Sequence, residues 1–261
     1  MWRELVISSV VGMAASGAGM MAAAESQPSA RPYTRNVAIV LYEGVELLDF
    51  AGPGEVFQAA ASFSEHGDQG GFKVYTVATT TKPILSQHFL HVVPDFSIDD
   101  APKPDVLVIP GGQSGALLGD PKFMAWAAKV TKEAEITLTV CTGAFVPGKL
   151  GLLDGKTATT WYGAIERLRR DVPKATVQEG RRFVDNGSII TTAGVSAGID
   201  GALHAVARLT GRAVADQTAR YMEYHWTPEP YLATTYTYLN PSLDEAGRTA
   251  QRAELLAEEK K

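Results

Sequence analysis

Short apolar runs alternate with longer stretches in which apolar residues return every three or four positions. The runs include Val37–Tyr42 (VAIVLY), FKVYTVAT, DVLVIPGG and ITLTVC. β-branched residues dominate them and polar residues rarely interrupt, the pattern of strands covered on both faces. Helical spacing follows in GPGEVFQAAASFSEHG, where the Gly52-Pro53-Gly54 breakers precede a helix ending near Gly67. It returns in DPKFMAWAAKVTKEA, with Asp120 as N-cap and Pro121 as first helical residue. WYGAIERLRRDV, SAGIDGALHAVARLTG and RAVADQTARYMEY are three further helices, and KTATT a further strand. PILSQHFLHVVPDFS reads as a hairpin or a pair of irregular strands. In RRFVDNGSIITTA, Asn186-Gly187 marks a hairpin turn. Strands alternating with helices predict an α/β fold with a mostly parallel sheet.

The ends of the chain break the pattern. MWRELVISSVVGMAASGAGMMAAAES carries Arg3, then an apolar and small-residue run ending in Ala22-Ala23-Ala24. Residues 1–24 therefore read as a secretory signal peptide, with an uncleaved anchor or a buried helix as the alternatives. Its Gly, Ala and Ser content is poor for a stable membrane span. The expected location is exported, periplasmic or secreted. Residues 25–35 (ESQPSARPYTR) read as a disordered mature N-terminus, 36–228 as the α/β domain and 229–261 as a polar extension.

With 261 residues, 45% of them hydrophobic, the chain can fill one sizeable core. A net charge of -5 and the lack of a Lys/Arg stripe argue against nucleic acid as a partner. One cysteine excludes an internal disulfide and a cysteine-based metal cluster. No metal or organic cofactor is expected.

That cysteine, Cys141, ends the strand ITLTVC and precedes Thr142-Gly143-Ala144. In an open α/β sheet, ligands bind at the carboxyl ends of strands. Strand, sharp small-residue turn and helix start together describe a nucleophile elbow, and a helix N-terminus favours thiolate. The alternative is a small buried hydrophobe. In an exported protein an unpaired thiol without a use is a liability.

Two other stretches converge on it. Gly111-Gly112 closes DVLVIPGG, and the N–H groups of Gly112 and Thr142 could form a pair of donors for developing negative charge. Alone, a Gly-Gly turn is only a turn. In YEGVELLDFAGPGEVF, Asp49 lies between Leu47-Leu48 and Phe50-Ala51. A carboxyl buried there has a raised pKa and can serve as a proton donor near neutral pH; the alternative is a turn or capping aspartate. Glu55 belongs on a helix face.

The blocks VAIVLYEGVELLDFAGPGEVF, PDVLVIPGG, TVCTGAF…LGLLDGKTATT and GSIITTAGVSAGIDGALHAV together resemble the ThiJ/PfpI family of the class I glutamine amidotransferase-like superfamily, from about Asn36 to Tyr224. The resemblance implies a flavodoxin-like three-layer sandwich, commonly a homodimer. It implies Cys141 as nucleophile, Asp49 as the acidic partner, Thr142 as a substrate- or water-orienting residue, and Gly111, Gly112, Thr142 and Trp161 as the oxyanion and substrate side. Asp rather than Glu at Asp49, and Thr after the cysteine, are most similar to the isonitrile hydratase branch. That branch implies a small-molecule substrate: an isonitrile hydrated to an N-substituted formamide through a cysteine thioimidate. Glyoxalase, deglycase or amidase chemistry, and a non-catalytic binding or redox-sensing domain, are the alternatives. Many relatives carry a His after the strand matching TATT; Trp161 and Tyr162 stand there here, which argues against a Cys–His couple. His204, on an apolar helix, reads as a packed core residue. Pro147 should kink the helix after the elbow.

Overall fold

The computed structural model describes residues 33–64 and 71–227. The expected signal peptide (1–24), most of the expected mature N-terminus (25–35) and the C-terminal extension (229–261) lie outside the described residues. So does His66.

In chain order the strands are β1 (Thr34–Val40), β2 (Gly71–Ala78), β3 (Ile84–Ser86), β4 (Leu90–Val92), β5 (Phe96–Ser97), β6 (Val106–Ile109), β7 (Ile136–Thr139), β8 (Thr157–Ala158), β9 (Thr176–Val177), β10 (Phe183–Asp185) and β11 (Ile189–Thr192). The helices are α1 (Leu47–Phe63), α2 (Gly115–Gly119), α3 (Pro121–Glu133), α4 (Phe145–Lys149), α5 (Ile165–Asp171), α6 (Ala197–Thr210) and α7 (Arg212–Tyr221). Seven strands form the main sheet in the order β10-β11-β7-β6-β1-β2-β5, all parallel except the β10–β11 hairpin.

From β1 the chain steps outward to β2, while from β6 it steps the opposite way to β7. Right-handed crossovers then put α1 and α3 on opposite faces, which makes the sheet the middle of three layers. α6 and α7 join α1 on its face. Every residue of β6, β7 and β11 is buried, as their β-branched sequences VLVI, ITLT and IITT require. The gap between β1 and β6, where the winding reverses, is the topological switch point at which open α/β sheets bind ligands.

The structure corrects the expected elements in several places. β1 begins at Thr34, so Thr34 and Arg35 pair with Gly71 and Phe72 of β2 rather than belonging to a disordered leader. α1 starts at Leu47, ahead of the Gly-Pro-Gly breakers, and carries Pro53 inside it. Pro53 falls in the second turn, where its missing N–H frees only the carbonyl of Asp49. The helix ends at Phe63, short of Gly67. KTATT contributes only Thr157 and Ala158, paired with β9 in a separate small sheet. PILSQHFLHVVPDFS forms the β3–β4 hairpin and then β5, which adds to the edge of the main sheet. Asp120 caps α3 as expected, its carboxylate accepting from the N–H groups of Lys122 at 2.9 Å and Phe123 at 3.1 Å. His204 is not a plain core residue: its Nε2 lies 2.7 Å from Asp185, which also holds Arg208.

No helix among the described residues is long and apolar enough to cross a membrane. Among the described glycines the tightest surroundings are at Gly143, just past the end of β7, where a Cβ would lie 2.0 Å from the carbonyl oxygen of Ile109. That oxygen already accepts the N–H of Val140 at 3.0 Å, so neither chain can yield. Gly143→Ala should therefore lower stability by about 2–3 kcal/mol or more, measured by urea unfolding. A loss below about 0.5 kcal/mol would mean that β6 and the elbow are not locked together.

Candidate active site

The carboxyl ends of β1, β6, β7 and β11 meet on one side of the sheet. The segments that follow them bring together Asp49, Gly111-Gly112, Cys141-Thr142 and Val195.

Cys141 opens a 3-10 turn, Cys141–Ala144, that leads into the short α4. Its φ of +56° is the left-handed region, which strains an L-residue by about 1–3 kcal/mol. Neighbouring segments hold it there. Its N–H donates to Ala193 O at 3.0 Å, and its own carbonyl accepts the Thr160 hydroxyl at 2.7 Å. Pro147 lies in α4, a helix of only five residues, so there is no long helix for it to kink.

Asp49 occupies the first turn of α1 and is 0% exposed. A carboxyl this deep needs partners for both oxygens. Oδ2 accepts the Gly111 N–H at 2.9 Å, and Oδ1 accepts the Val195 N–H at 3.0 Å. The carboxyl also stands beside the Cys141 thiol, close enough for each group to shift the ionisation of the other. A Cβ on Gly111 would stand 2.7 Å from Cys141 Cβ, 2.7 Å from Thr142 N and 2.8 Å from Asp49 Oδ2. Only glycine fits where the three groups converge.

Burial pushes Asp49 up to about 7, with Glu46 adding to the rise and the two backbone donors and the thiol opposing it. Burial also pushes the Cys141 thiol up, and the adjacent Asp49 carboxyl adds to this. The Thr142 N–H, aimed at the sulfur, works the other way. The expectation that a helix end would favour thiolate is thus corrected. α4 is too short for a strong dipole, and the dry site with an acid beside it keeps the proton on the pair. The two groups titrate as a coupled unit: the thiol keeps its proton at neutral pH, and the pair passes from two protons to one as pH rises through about 7.

The expected oxyanion side is rearranged as well. Gly111 N–H serves Asp49 and is not free for a ligand. Gly112 N–H donates to the Thr142 hydroxyl at 3.2 Å, and that hydroxyl also lies 3.2 Å from Gly112 O. Thr142 thus closes the space where a polar ligand atom would meet the Gly112 donor. Trp161 packs its ring over Gly194, where a Cβ would come within 2.6 Å of the indole, and against Gly163. It remains 37% exposed, its ring edge-on to that of Tyr162.

Sequence reasoning missed Ala193, Val195, Thr160 and Glu46. The block GSIITTAGVSAG carried the first two, but backbone N–H and C=O groups leave no residue signature. Glu55 is exposed on α1, as expected. Among the described residues no histidine bonds Cys141 or Asp49, and no cluster of three His, Cys, Asp or Glu side chains is set to hold a metal ion. The arrangement suits addition of a thiol across a polar multiple bond, with the carboxyl relaying the proton.

A flavodoxin-like sandwich with a strained cysteine elbow at its switch point and an acid from the first helix defines a class of α/β proteins built around one thiol. The chain belongs to the DJ-1/PfpI family, whose model matches residues 35–208. It is 29% identical to isonitrile hydratase from Pseudomonas putida over 82% of this chain and 89% of that one. It is similar to the crystal structure of a ThiJ/PfpI family protein from Pseudomonas syringae, with TM-score 0.67 and 29% identity over 87% of this chain and 88% of that one. It is also 26% identical over 69% of its length to a helix-turn-helix-type transcriptional regulator from Pseudomonas aeruginosa, of which it covers 52%.

The buried Asp49 gives a signed pH dependence. Its carboxyl ionises near 3.8 when unfolded and near 7 when folded. Between those values the folded chain holds more protons, so stability falls as pH rises from about 4 to about 7. The fall should be on the order of 3 kcal/mol in urea unfolding, and Asp49→Asn should lack that component. Parallel stability curves for the two proteins would show that Asp49 is not a raised, buried acid.

Proposed function

We propose that the protein is an isonitrile hydratase-like enzyme, adding water to an isonitrile to give an N-substituted formamide. The observation that carries this reading is the buried Asp49 carboxyl converging with Cys141 beside Gly111, with no histidine bonded to either among the described residues. The 29% identity to isonitrile hydratase supports it.

The terminal carbon of an isonitrile accepts a nucleophile and then needs a proton. As the sulfur bonds to that carbon, its proton passes to Asp49, and Asp49 delivers it to the same carbon. The product is a thioimidate, Cys141–S–CH=N–R, containing every atom of the substrate. A carboxyl near pH 7 is matched to this relay because it gains and loses a proton with equal ease. In the second half Asp49 takes a proton from water as its oxygen attacks the thioimidate carbon and passes that same proton to the nitrogen, giving Cys141–S–CH(OH)–NH–R. Collapse of the tetrahedral adduct breaks the C–S bond, releases R–NH–CHO and returns the proton to the Cys141–Asp49 pair. The Thr142 hydroxyl, within reach of Gly112 N–H and O, would orient the water or the substrate carbon. No leaving amine has to be protonated, so the missing histidine is no handicap. An amide substrate would need that donor.

Formamide release from a simple isonitrile should be abolished by Cys141→Ser and reduced about 10²–10⁴-fold by Asp49→Asn. Folded, reduced protein that releases no formamide would refute the reading; turnover of methylglyoxal by that protein would assign the site to aldehydes.

A further inference from the structure

The segment Ala193–Gly194–Val195 does two jobs at once. Ala193 O accepts the N–H of Cys141 at 3.0 Å, and Val195 N–H donates to Asp49 at 3.0 Å. It is a backbone bridge that sets the acid and the thiol relative to each other. Yet Val195 is held at φ +54°, an outlier for a β-branched residue, and it is 38% exposed, so packing alone does not confine it.

What confines it is Arg182. The Arg182 carbonyl accepts the Ala193 N–H at 2.9 Å. Its guanidinium reaches past the bridge to the start of α6. Nε donates to Asp200 Oδ2 at 2.7 Å, Nη2 bonds the same oxygen, and Nη1 donates to the Ser196 hydroxyl at 3.3 Å. Tyr224, beyond α7, donates to Asp200 at 3.1 Å and accepts from Arg182 at 3.2 Å. Side-chain exposures of 15% for Arg182 and 9% for Asp200 make this a buried pair. Such pairs are seldom retained for stability alone, and a role in fixing one conformation is a specific hypothesis to test. Residues on both sides of the strained Val195 are thereby anchored: Ala193 through the Arg182 backbone, Ser196 and Asp200 through its side chain.

We propose that Arg182, with Asp200 and Tyr224, is a positioning cluster that holds Val195 in its left-handed conformation and so keeps the second backbone donor on Asp49. This rests on Cys141 and Asp49 being the reacting pair, but its test uses no substrate, so its failure is separate from failure of the hydratase reading.

Arg182→Lys keeps the charge beside Asp200 but loses the fork that reaches Ser196 and Tyr224 together. The ionisable groups facing Asp49 are Tyr42, Glu46 and Cys141, all unaltered by this change. The readout is the titration of the Asp49 carboxyl by ¹³C NMR, with its signal assigned by comparison with Asp49→Asn. The Val195 N–H lowers the Asp49 pKa, so its loss in Arg182→Lys should move the midpoint upward, by about half a unit or more. Adding Val195→Gly, which retains the N–H and accepts the positive φ without strain, should move the midpoint back toward wild type. An unchanged midpoint in Arg182→Lys, whatever its melting temperature, would overturn the proposal. So would a raised midpoint that the added glycine fails to restore.

Discussion

A carboxyl group removed from water must find a partner for each oxygen, and Asp49 finds them in two different segments. Gly111 N–H comes from the end of β6 and Val195 N–H from the end of β11, on either side of the cysteine strand in the sheet order. The carboxyl therefore ties together three parts of the fold that are far apart in sequence. The same two anchors aim it at the Cys141 thiol. Burial sets its pKa, the backbone donors restrain the rise, and the result is an acid that changes state near neutral pH.

Everything near this contact is arranged around a lack of space. The elbow puts Cys141 at a strained φ, and Gly111 and Gly143 sit where any side chain would strike backbone or the reacting groups. The thiol is not a standing thiolate, because a dry site beside an acid disfavours a second negative charge. In the proposed reaction, reactivity comes from the pair: the proton leaves sulfur as sulfur forms its new bond. That division of labour explains how a cysteine site with no histidine partner among the described residues could still carry out an addition.

Much of this was legible in the chain. The apolar runs VAIVLY, DVLVIP and ITLTVC located the central strands, because strands buried on both faces leave no polar interruption. Asp49 stood out as one charge in an apolar stretch, and Cys141 as a lone thiol at a strand end. The errors share a cause. α1 begins before Gly52-Pro53-Gly54 because packing against α6 outweighs local breaker propensity, and a proline in the second turn forfeits little. Gly111 was read as a ligand donor because its sequence cannot say which way its N–H points. Val195 and Ala193 act only through their backbones, and Arg182 meets Asp200 across the whole β10–β11 hairpin, so no motif could announce them.

The central claim is that Cys141 adds covalently to the substrate carbon with Asp49 supplying the proton. Acid quenching of the protein during turnover of an isonitrile, followed by peptide mass spectrometry, tests this directly. The account predicts a mass increase equal to the whole isonitrile, on the peptide containing Cys141 and on no other. Formamide release without that adduct, or with the adduct at another residue, would contradict it.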